Sequence, residues 1–382
     1  MGIRALAFPD YDFATAPVPW VSDGRLVRRW VPFGMPRFRP AMAMTTFYLY
    51  RRNERSGQIE GPCGTGFAVV IPSAVHGEIP HAYAVTSLHV IQAGASIIRF
   101  TRLVEAQEGR SIVKRPAAKF IEFNPEEWHF IPAGDDVAAI EITDHIGHDD
   151  DLLTGIPETD FAHLGFIREA RVSLGEDVFM VGLFTGNPGI EINHVAARFG
   201  NLSQLASDKH PVVQGHGYAH PSHVIDMHSR PGFSGSPVMI YRTPYGDLTA
   251  IDQEGRFLPN LNSPYLTFVK LLGIHSGQFE ERIGVERAES YGAQPIKEGD
   301  TLTVQSSMTI VVPAWKIQEL LHTQHFKDQR MAREKEARQK HVSRVQPEVA
   351  SAELRDANPD HKEDFTRLLN AASRKRPQDD QT

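Results

Sequence analysis

The chain has 382 residues, of which 41% are hydrophobic, and its formal net charge is −7. This length exceeds an ordinary single domain, and the hydrophobic share is that of a globular protein. The negative charge argues against nonspecific nucleic-acid binding by the whole chain. The chain has one cysteine, Cys63, which excludes an intrachain disulfide and favours a reducing compartment or a prokaryotic source. Cys63 has no catalytic context, so we expect a structural role for it.

The chain begins MGIRALAFP, which contains neither a long apolar core nor a cleavage site for secretion. No run of 18 apolar residues is present that would suggest a membrane span. We therefore expect a cytoplasmic protein that does not bind membranes.

Residues 1–43 are rich in proline and aromatic side chains. We predict that this extension packs as an irregular arm against the following domain; the alternative is a cover over a cleft. Residues 44–150 contain short β-like runs bounded by turns, among them 45–50 and 67–71. His89 ends the run AYAVTSLH that follows the second of these strands, and Asp135 and Asp136 open the apolar run VAAI.

The most informative stretch lies further on, at residues 230–237, which have the sequence RPGFSGSP. A serine between two glycines, Ser234, can sit on a tight turn that exposes its hydroxyl. The same turn can aim the N–H groups of Gly232 and Ser234 at one point, where an oxyanion would be stabilised. The alternative is an ordinary Gly/Ser/Pro turn. A serine hydroxyl is a poor nucleophile near neutral pH and needs a base, for which histidine has a suitable pKa.

The chain order His89, Asp136, Ser234 resembles that of the chymotrypsin-like (trypsin-like) serine proteases. Residues 85–89, VTSLH, are similar to the family's Thr-Ala-Ala-His run, and residues 136–140, DVAAI, approximate its aspartate-led strand. Residues 232–237 match its Gly-x-Ser-Gly-x-Pro motif at every fixed position. Three later stretches resemble an early strand of its second barrel, its pocket-lining strand, and its last strand with the closing helix: 174–182, 273–277 and 308–321.

The resemblance covers about residues 44–322 and implies a bacterial-type member without disulfides. It implies an all-β fold of two six-stranded antiparallel β-barrels with a C-terminal helix, the first barrel in 44–150 and the second in 151–322. In that family Ser234 would be the nucleophile, His89 the general base and acid, and Asp136 the orienting carboxylate. The amides of Gly232 and Ser234 would form the oxyanion hole. Asp135 is the alternative to Asp136, but only Asp136 directly precedes the apolar run.

One departure concerns the residue before the nucleophile, Phe233, where secreted digestive members carry an aspartate. That aspartate pairs with a newly cut N-terminus during activation, and a phenylalanine cannot. We therefore predict no activation by N-terminal cleavage.

The resemblance also locates a substrate pocket. Its base would be set by His228 and Ser229, and its side by His275, with Arg230 as a further polar neighbour. No aspartate is present at the base to attract Lys or Arg, so we expect a preference for Glu, Gln or another non-basic residue before the scissile bond. The alternative is a pocket for small apolar residues, with His275 packed against a strand. The predicted substrate-binding residues are His228, Ser229, His275, Ser276 and Gly277.

Histidines are also numerous between residues 210 and 228, but no paired-cysteine or His-Glu-x-x-His spacing accompanies them. We read them as exposed loop residues and expect no metal and no cofactor. Residues 323–382 form a charged tail, whose run at 327–340 is typical of a solvated helix or a disordered linker. Residues 360–372 have the spacing of a short amphipathic helix that would dock on the chain's own barrel or on a protein partner.

The sequence thus favours a serine endopeptidase acting on proteins or peptides, without nucleic acid or membrane as partner. The alternative is a catalytically silent binding or scaffold protein with the protease fold. An esterase using the same triad is a third interpretation.

Overall fold

A computed structural model describes residues 18–22, 25–29, 40–75, 80–108, 111–146, 150–184, 186–243, 250–251, 257–258, 265, 267–284, 290–291, 294–295, 301–339 and 366–367. The chain divides into two compact units, one of residues 1–71 and 80–322, the other of residues 72–79 and 323–382. None of the described helices is long and apolar enough to cross a membrane.

Two segments of the N-terminal extension pair as antiparallel strands, β1 (Val18–Ser22) with β2 (Arg25–Arg29). The extension was predicted to be irregular, so this strand pair is a difference from expectation. A short helix, α1 (Pro40–Ala43), follows.

An N-terminal sheet holds the first group of strands in the order β7-β6-β3-β4-β5-β8, and β9 runs parallel to β4 outside this path. The outer part of the β6–β7 hairpin is largely exposed, whereas β5 is buried along its whole length. Helix α2 (Leu88–Gln92) directly follows β5. The strands are β3 (Thr46–Arg52), β4 (Ile59–Ile71), β5 (His81–Thr86), β6 (Ala95–Glu108), β7 (Ser111–Glu122), β8 (Ala138–Glu141) and β9 (Ile156–Pro157).

Among the described residues this sheet is open, so the first barrel that the resemblance implied is not confirmed. After β7 the chain forms a 3-10 helix, Pro125–Glu127, which Asn124 caps. A single bridge between His129 and Ala139 then brings the chain to β8. In the described strand order, β7 and β8 are the two ends of the sheet.

The second group of strands forms a closed antiparallel barrel in the order β10-β11-β14-β21-β18-β15. A 3-10 helix, Glu158–Asp160, and α3 (Leu164–Glu169) precede the barrel, and α4 (Ala314–Leu321) follows its last strand. The barrel strands are β10 (Asp177–Leu183), β11 (Val195–Gln204), β14 (His223–Asp226), β15 (Pro237–Arg242), β18 (Phe268–Gly284) and β21 (Thr301–Pro313). Shorter pairs lie between them: β12 (Val212–Val213) with β13 (Ala219–His220), β16 (Ala250–Ile251) with β17 (Phe257–Leu258), and β19 (Ser290–Tyr291) with β20 (Gln294–Pro295).

Each group of strands has its own apolar core. The core of the N-terminal sheet includes Phe47, Leu49 and Trp128, and that of the barrel includes Val178, Phe233 and Leu272. The prediction of a mostly β protein is thus confirmed, with one closed six-stranded barrel and one open sheet.

In the second unit, residues 324–339 are helical. A helix was one of the two alternatives given for the charged run at 327–340. The amide of Ala74 donates to the Glu334 carboxylate of this helix at 3.0 Å. The amphipathic helix predicted at 360–372 lies outside the described residues except for Thr366 and Arg367, which are helical.

Candidate active site

His89 lies in the first turn of α2, immediately after the buried strand β5. Ser87 precedes this helix, and its Oγ donates to the backbone carbonyl of His275 at 2.8 Å. The hydroxyl of Thr86 donates to the carbonyl of Thr65, also at 2.8 Å. These two bonds anchor the turn between β5 and α2, so the position of His89 is set by buried neighbours on both sides. The His89 side chain itself is 26% exposed.

Asp136 is fully buried and contacts His89 through both carboxylate oxygens. Oδ2 lies 2.7 Å from His89 Nδ1, and Oδ1 accepts the backbone N–H of His89 at 2.9 Å. The Ser276 hydroxyl also donates to Oδ2, at 2.6 Å. Because Nδ1 faces a carboxylate, it carries the proton, and Nε2 is left as the basic nitrogen.

Burial alone would raise the pKa of the Asp136 carboxyl. Hydrogen bonds from the His89 ring, the Ser276 hydroxyl and the His89 amide, together with the charge of His89, outweigh burial and hold the pKa below its ordinary value. Asp136 is therefore ionised at neutral pH beside the imidazole.

Asp135, the alternative acid, faces away from His89. Its carboxylate accepts the Gln214 side-chain amide at 2.9 Å and lies 3.8 Å from the Lys316 ammonium. Of the two acidic residues, the structure brings Asp136 to the histidine.

Ser234 lies on the turn between β14 and β15. The amide of Phe233 donates to the carbonyl of Arg230 at 3.1 Å, which closes a four-residue turn. Proline at the second position fixes φ at about −65°, while Gly232 at the third has φ +97°. This combination defines a type II turn, which needs glycine at that position.

The carbonyl groups of the nucleophile turn accept hydrogen bonds from the protein. Thr65 on β4 donates from Oγ1 to the Gly232 carbonyl at 2.7 Å and from its amide to the Ser234 carbonyl at 2.9 Å. The Phe233 carbonyl accepts the Ser236 amide at 2.9 Å. Among the described residues, the amides of Gly232 and Ser234 have no protein acceptor.

The backbone carbonyl of His275 joins the chain segments that carry Ser234 and His89. That carbonyl accepts the Ser87 hydroxyl at 2.8 Å and the Gly235 amide at 2.9 Å. The residue after Ser234 and the residue two before His89 therefore meet at one atom. Within the described part of the chain, no hydrogen bond joins the Ser234 hydroxyl to the His89 ring.

A cavity of about 330 Å³ opens beside the nucleophile turn. Two of the predicted substrate-binding residues, His228 and Ser229, line it. The described residues that line it are Arg198, His228, Ser229, Arg230, Pro231 and Gln278. These side chains include two guanidinium groups and no carboxylate, so their charge favours an anion.

The other three predicted pocket residues do not line this cavity. Ser276 bonds to the Asp136 carboxylate and accepts the Gly215 amide at 2.7 Å. A side chain on Gly277 would stand 3.9 Å from the Gly215 Cα. His275 is 3% exposed, and in the described residues neither of its ring nitrogens has a hydrogen-bond partner. Burial lowers the pKa of His275 to about 3, and the charge on His89 acts in the same direction, so the ring is neutral at pH 7.

Phe233 is completely buried in the barrel core. The Arg198 guanidinium lies 5.5 Å from its ring centroid. The position before the nucleophile is thus filled by an apolar ring beneath a cation.

The additional histidines differ in their surroundings. His216 Nε2 contacts the Gly134 carbonyl at 2.9 Å, and its ring stacks on that of His220. His223 is buried, and burial lowers its pKa to about 3, which corrects its assignment to an exposed loop. The described part of the chain has no group of three or more His, Cys, Asp or Glu residues placed to hold a metal ion.

Three residues around the site carried no signal in the sequence: Thr65, Arg198 and Gln214. Each is an ordinary polar residue in or beside a strand, without a motif. Each contacts the site through a partner more than 30 positions away, which local patterns do not indicate.

No family model matches this chain, and no curated protein matches it. Among solved structures, it is similar to the inactive form of the Ser343Ala mutant of Rv3671c from M. tuberculosis H37Rv, with 14% identity and a TM-score of 0.34 over 74% of this chain and 87% of that chain. It is also similar to the active form of the Rv3671c protease from M. tuberculosis, with 16% identity and a TM-score of 0.34 over 74% of this chain and 82% of that chain. Likenesses this weak identify neither a family nor an activity.

Proposed function

We propose that this protein is a serine endopeptidase in which Ser234, His89 and Asp136 act as nucleophile, general base and orienting carboxylate. The observation that carries the proposal is the buried Asp136 carboxylate bonded to His89 Nδ1 at 2.7 Å, beside a glycine-flanked serine turn. Of the two ring nitrogens of His89, the buried, ionised carboxylate contacts Nδ1, and this leaves Nε2 free to accept a proton. In this proposal the open N-terminal sheet corresponds to the first barrel of the chymotrypsin-like fold.

The reaction would proceed through an acyl-enzyme. Ser234 Oγ attacks the scissile carbonyl as His89 Nε2 takes its proton, and the amides of Gly232 and Ser234 donate to the oxyanion. The tetrahedral intermediate collapses with proton transfer from Nε2 to the leaving amine. Water then attacks the ester as His89 Nε2 accepts its proton. The second tetrahedral intermediate collapses with cleavage of the bond to Ser234 Oγ, the proton passes from Nε2 to that oxygen, and the acid product leaves.

The cavity beside the turn supports an acidic side chain before the scissile bond. Arg198 and Arg230 supply the positive charge, and Ser229 supplies a hydroxyl. His275 is neutral, buried and not part of the cavity lining, so in this proposal the two arginines and Ser229 set the specificity and His275 does not. A Glu side chain would gain charge-assisted hydrogen bonds that Gln would gain only in part.

One observation favours a second candidate, a catalytically silent protein with a protease-like fold. The Ser234 hydroxyl and the His89 ring are not hydrogen-bonded. Catalytic hydrogen bonds are often long before substrate binds, so this geometry is compatible with both candidates.

A fluorophosphonate reagent separates the two. We expect it to label the folded wild type, to leave Ser234→Ala unlabelled, and to react about 10⁴-fold more slowly with Asp136→Asn. Folded wild type that stays unlabelled over the whole neutral range would favour the silent protein.

Specificity is tested with peptides that differ only in Glu, Gln, Ala or Lys before the scissile bond. Replacing Arg198 or Arg230 by Leu should lower kcat/KM for the Glu peptide roughly 10- to 100-fold, the range of a lost charged hydrogen bond. The Ala peptide serves as the control, and kcat/KM for it should stay unchanged.

A further inference from the structure

The hairpin β12–β13 reaches from the barrel to the His89–Asp136 pair. Its tip is closed by the Gln214 amide bonding to the Tyr218 carbonyl at 2.8 Å and by the Gly217 amide bonding to the Gln214 carbonyl at 2.9 Å. The hairpin lies between β11 and β14 in the chain, so it belongs to the half that carries Ser234. Its contacts with residues before β8 connect that half to the other half of the site.

The Gln214 side chain hydrogen-bonds to the backbone of Asp136. Its Oε1 accepts the Asp136 amide at 2.6 Å, and its Nε2 donates to Asp135 Oδ1 at 2.9 Å and to Ser222 Oγ at 3.0 Å. The side chain is 2% exposed, and all of these partners are protein groups. A buried amide with this many directional bonds fixes the peptide preceding Asp136 and thereby the direction of its carboxylate.

Gly215 lies against the His89 ring. A Cβ at this position would stand 2.4 Å from the Ser276 carbonyl oxygen, 2.6 Å from His89 Nδ1 and 2.8 Å from His89 Cε1. The amide of Gly215 donates to Ser276 Oγ at 2.7 Å, and that oxygen donates in turn to Asp136 Oδ2 at 2.6 Å. The space beside the ring therefore admits a glycine. The Gly215 amide is linked through the Ser276 hydroxyl to Asp136 Oδ2, the carboxylate oxygen that the ring also contacts.

We propose that Gln214 and Gly215 are positioning residues that hold the Asp136 carboxylate and the His89 ring in line from the opposite half of the molecule. Gln214 orients the acid, and Gly215 confines the imidazole to the orientation in which Nδ1 faces Oδ2. The catalytic meaning of this alignment rests on the proposed protease function, whereas the alignment itself is a property of the fold.

The first test adds one methyl group beside the ring. Gly215→Ala should slow fluorophosphonate labelling of Ser234 by roughly 10- to 100-fold, because a shift of about 1 Å in a catalytic group costs this much. The control is Gly217→Ala in the same hairpin tip, where a Cβ would meet nothing within 4 Å but where φ +93° strains an alanine. The control should lose some stability through this strain, and the folded protein should label within about twofold of the wild type. Equal labelling of both variants and the wild type would overturn the proposal.

The second test changes the charge beside the acid. The titratable groups facing the hairpin tip are Asp135, Asp136, His89, Lys316, His216 and His220. Gln214→Leu removes the hold on Asp136, so the imidazolium is stabilised less and the acid limb of the labelling profile moves to lower pH. Gln214→Glu adds a carboxylate next to two others, which stabilises the imidazolium and moves that limb to higher pH. A general loss of stability would leave the acid limb at the wild-type pH in both variants. An acid limb that is unchanged in both Gln214→Leu and Gln214→Glu would therefore refute the role of Gln214.

A readout independent of activity separates this proposal from the proposed function. The proton on His89 Nδ1, bonded to a carboxylate, should give a downfield nuclear magnetic resonance signal in wild type and in Gly217→Ala. The signal should be lost or shifted in Gly215→Ala. If the wild type resists labelling but this pattern is observed, the protease function fails and the positioning role stands; an unchanged signal in Gly215→Ala overturns the positioning role.

Discussion

Thr65 joins the N-terminal sheet to the nucleophile turn. Replacing its hydroxyl by a methyl should lower both the stability of the fold and the labelling rate of Ser234. Its Oγ1 accepts the Leu183 amide at 2.8 Å and donates to the Gly232 carbonyl at 2.7 Å. Thr65→Val keeps the shape of the side chain and removes both bonds. Leu183 and Thr65 are completely buried, whereas Gly232 is partly exposed.

The magnitude follows from those burials. A buried amide left without a partner costs about 1–3 kcal/mol, and the Gly232 carbonyl, which water can reach, costs about 1 kcal/mol or less. We therefore expect Thr65→Val to lower the free energy of unfolding by about 1–4 kcal/mol in urea titrations at neutral pH. The labelling rate of Ser234 should fall roughly tenfold, because the turn that aims the Gly232 amide loses one of its ties.

Thr65→Ser is the matched control, since it keeps the hydroxyl and loses only a methyl group, at a cost of about 1 kcal/mol. If the Val variant were as stable as the Ser variant and labelled at the wild-type rate, the two bonds would not support the turn, and the reasoning would be wrong.

Two further outcomes are expected. The pKa values of His223 and His275 are about 3 in the folded protein, against 6.5 ordinarily. As the pH falls, the unfolded chain therefore takes up protons at these histidines before the folded protein does. The stability that their neutral forms contribute is complete above pH 6.5 and is lost as the pH falls towards 3. Urea titrations at several pH values should show this decline, and it should be smaller in His275→Val; an equal decline in both proteins contradicts the assignment to His275. Arg99 is buried and donates to the carbonyls of Pro188, Gly189 and Ile190 at 3.2, 3.0 and 2.7 Å, so Arg99→Met should destabilise the fold by about 1–3 kcal/mol. In a Ser234→Ala background, which excludes self-cleavage, an added protease should cut residues 186–194 faster in this variant; an unchanged cutting rate would mean that Arg99 does not hold the segment.

The sequence predicted the features that depend on neighbours along the chain. The buried strand before His89 was visible as an apolar run, and the turn at Pro231 and Gly232 follows from the backbone preferences of those two residues. The choice of Asp136 over Asp135 was also local, since only one of them abuts the strand. The mostly β architecture followed from short runs separated by turns.

Tertiary structure decided which strands pair and which side chains meet. The described strands of the N-terminal sheet run in the order β7-β6-β3-β4-β5-β8 without closing, and no strand pattern in the sequence contains that pairing. Ser276 was expected to contact substrate, yet its hydroxyl donates to Asp136, 140 positions away. Gln214, Arg198 and Thr65 likewise act through distant partners. A hydrogen bond between remote residues forms only once the whole fold has brought them within about 3 Å, so a single sequence carries no local mark of it.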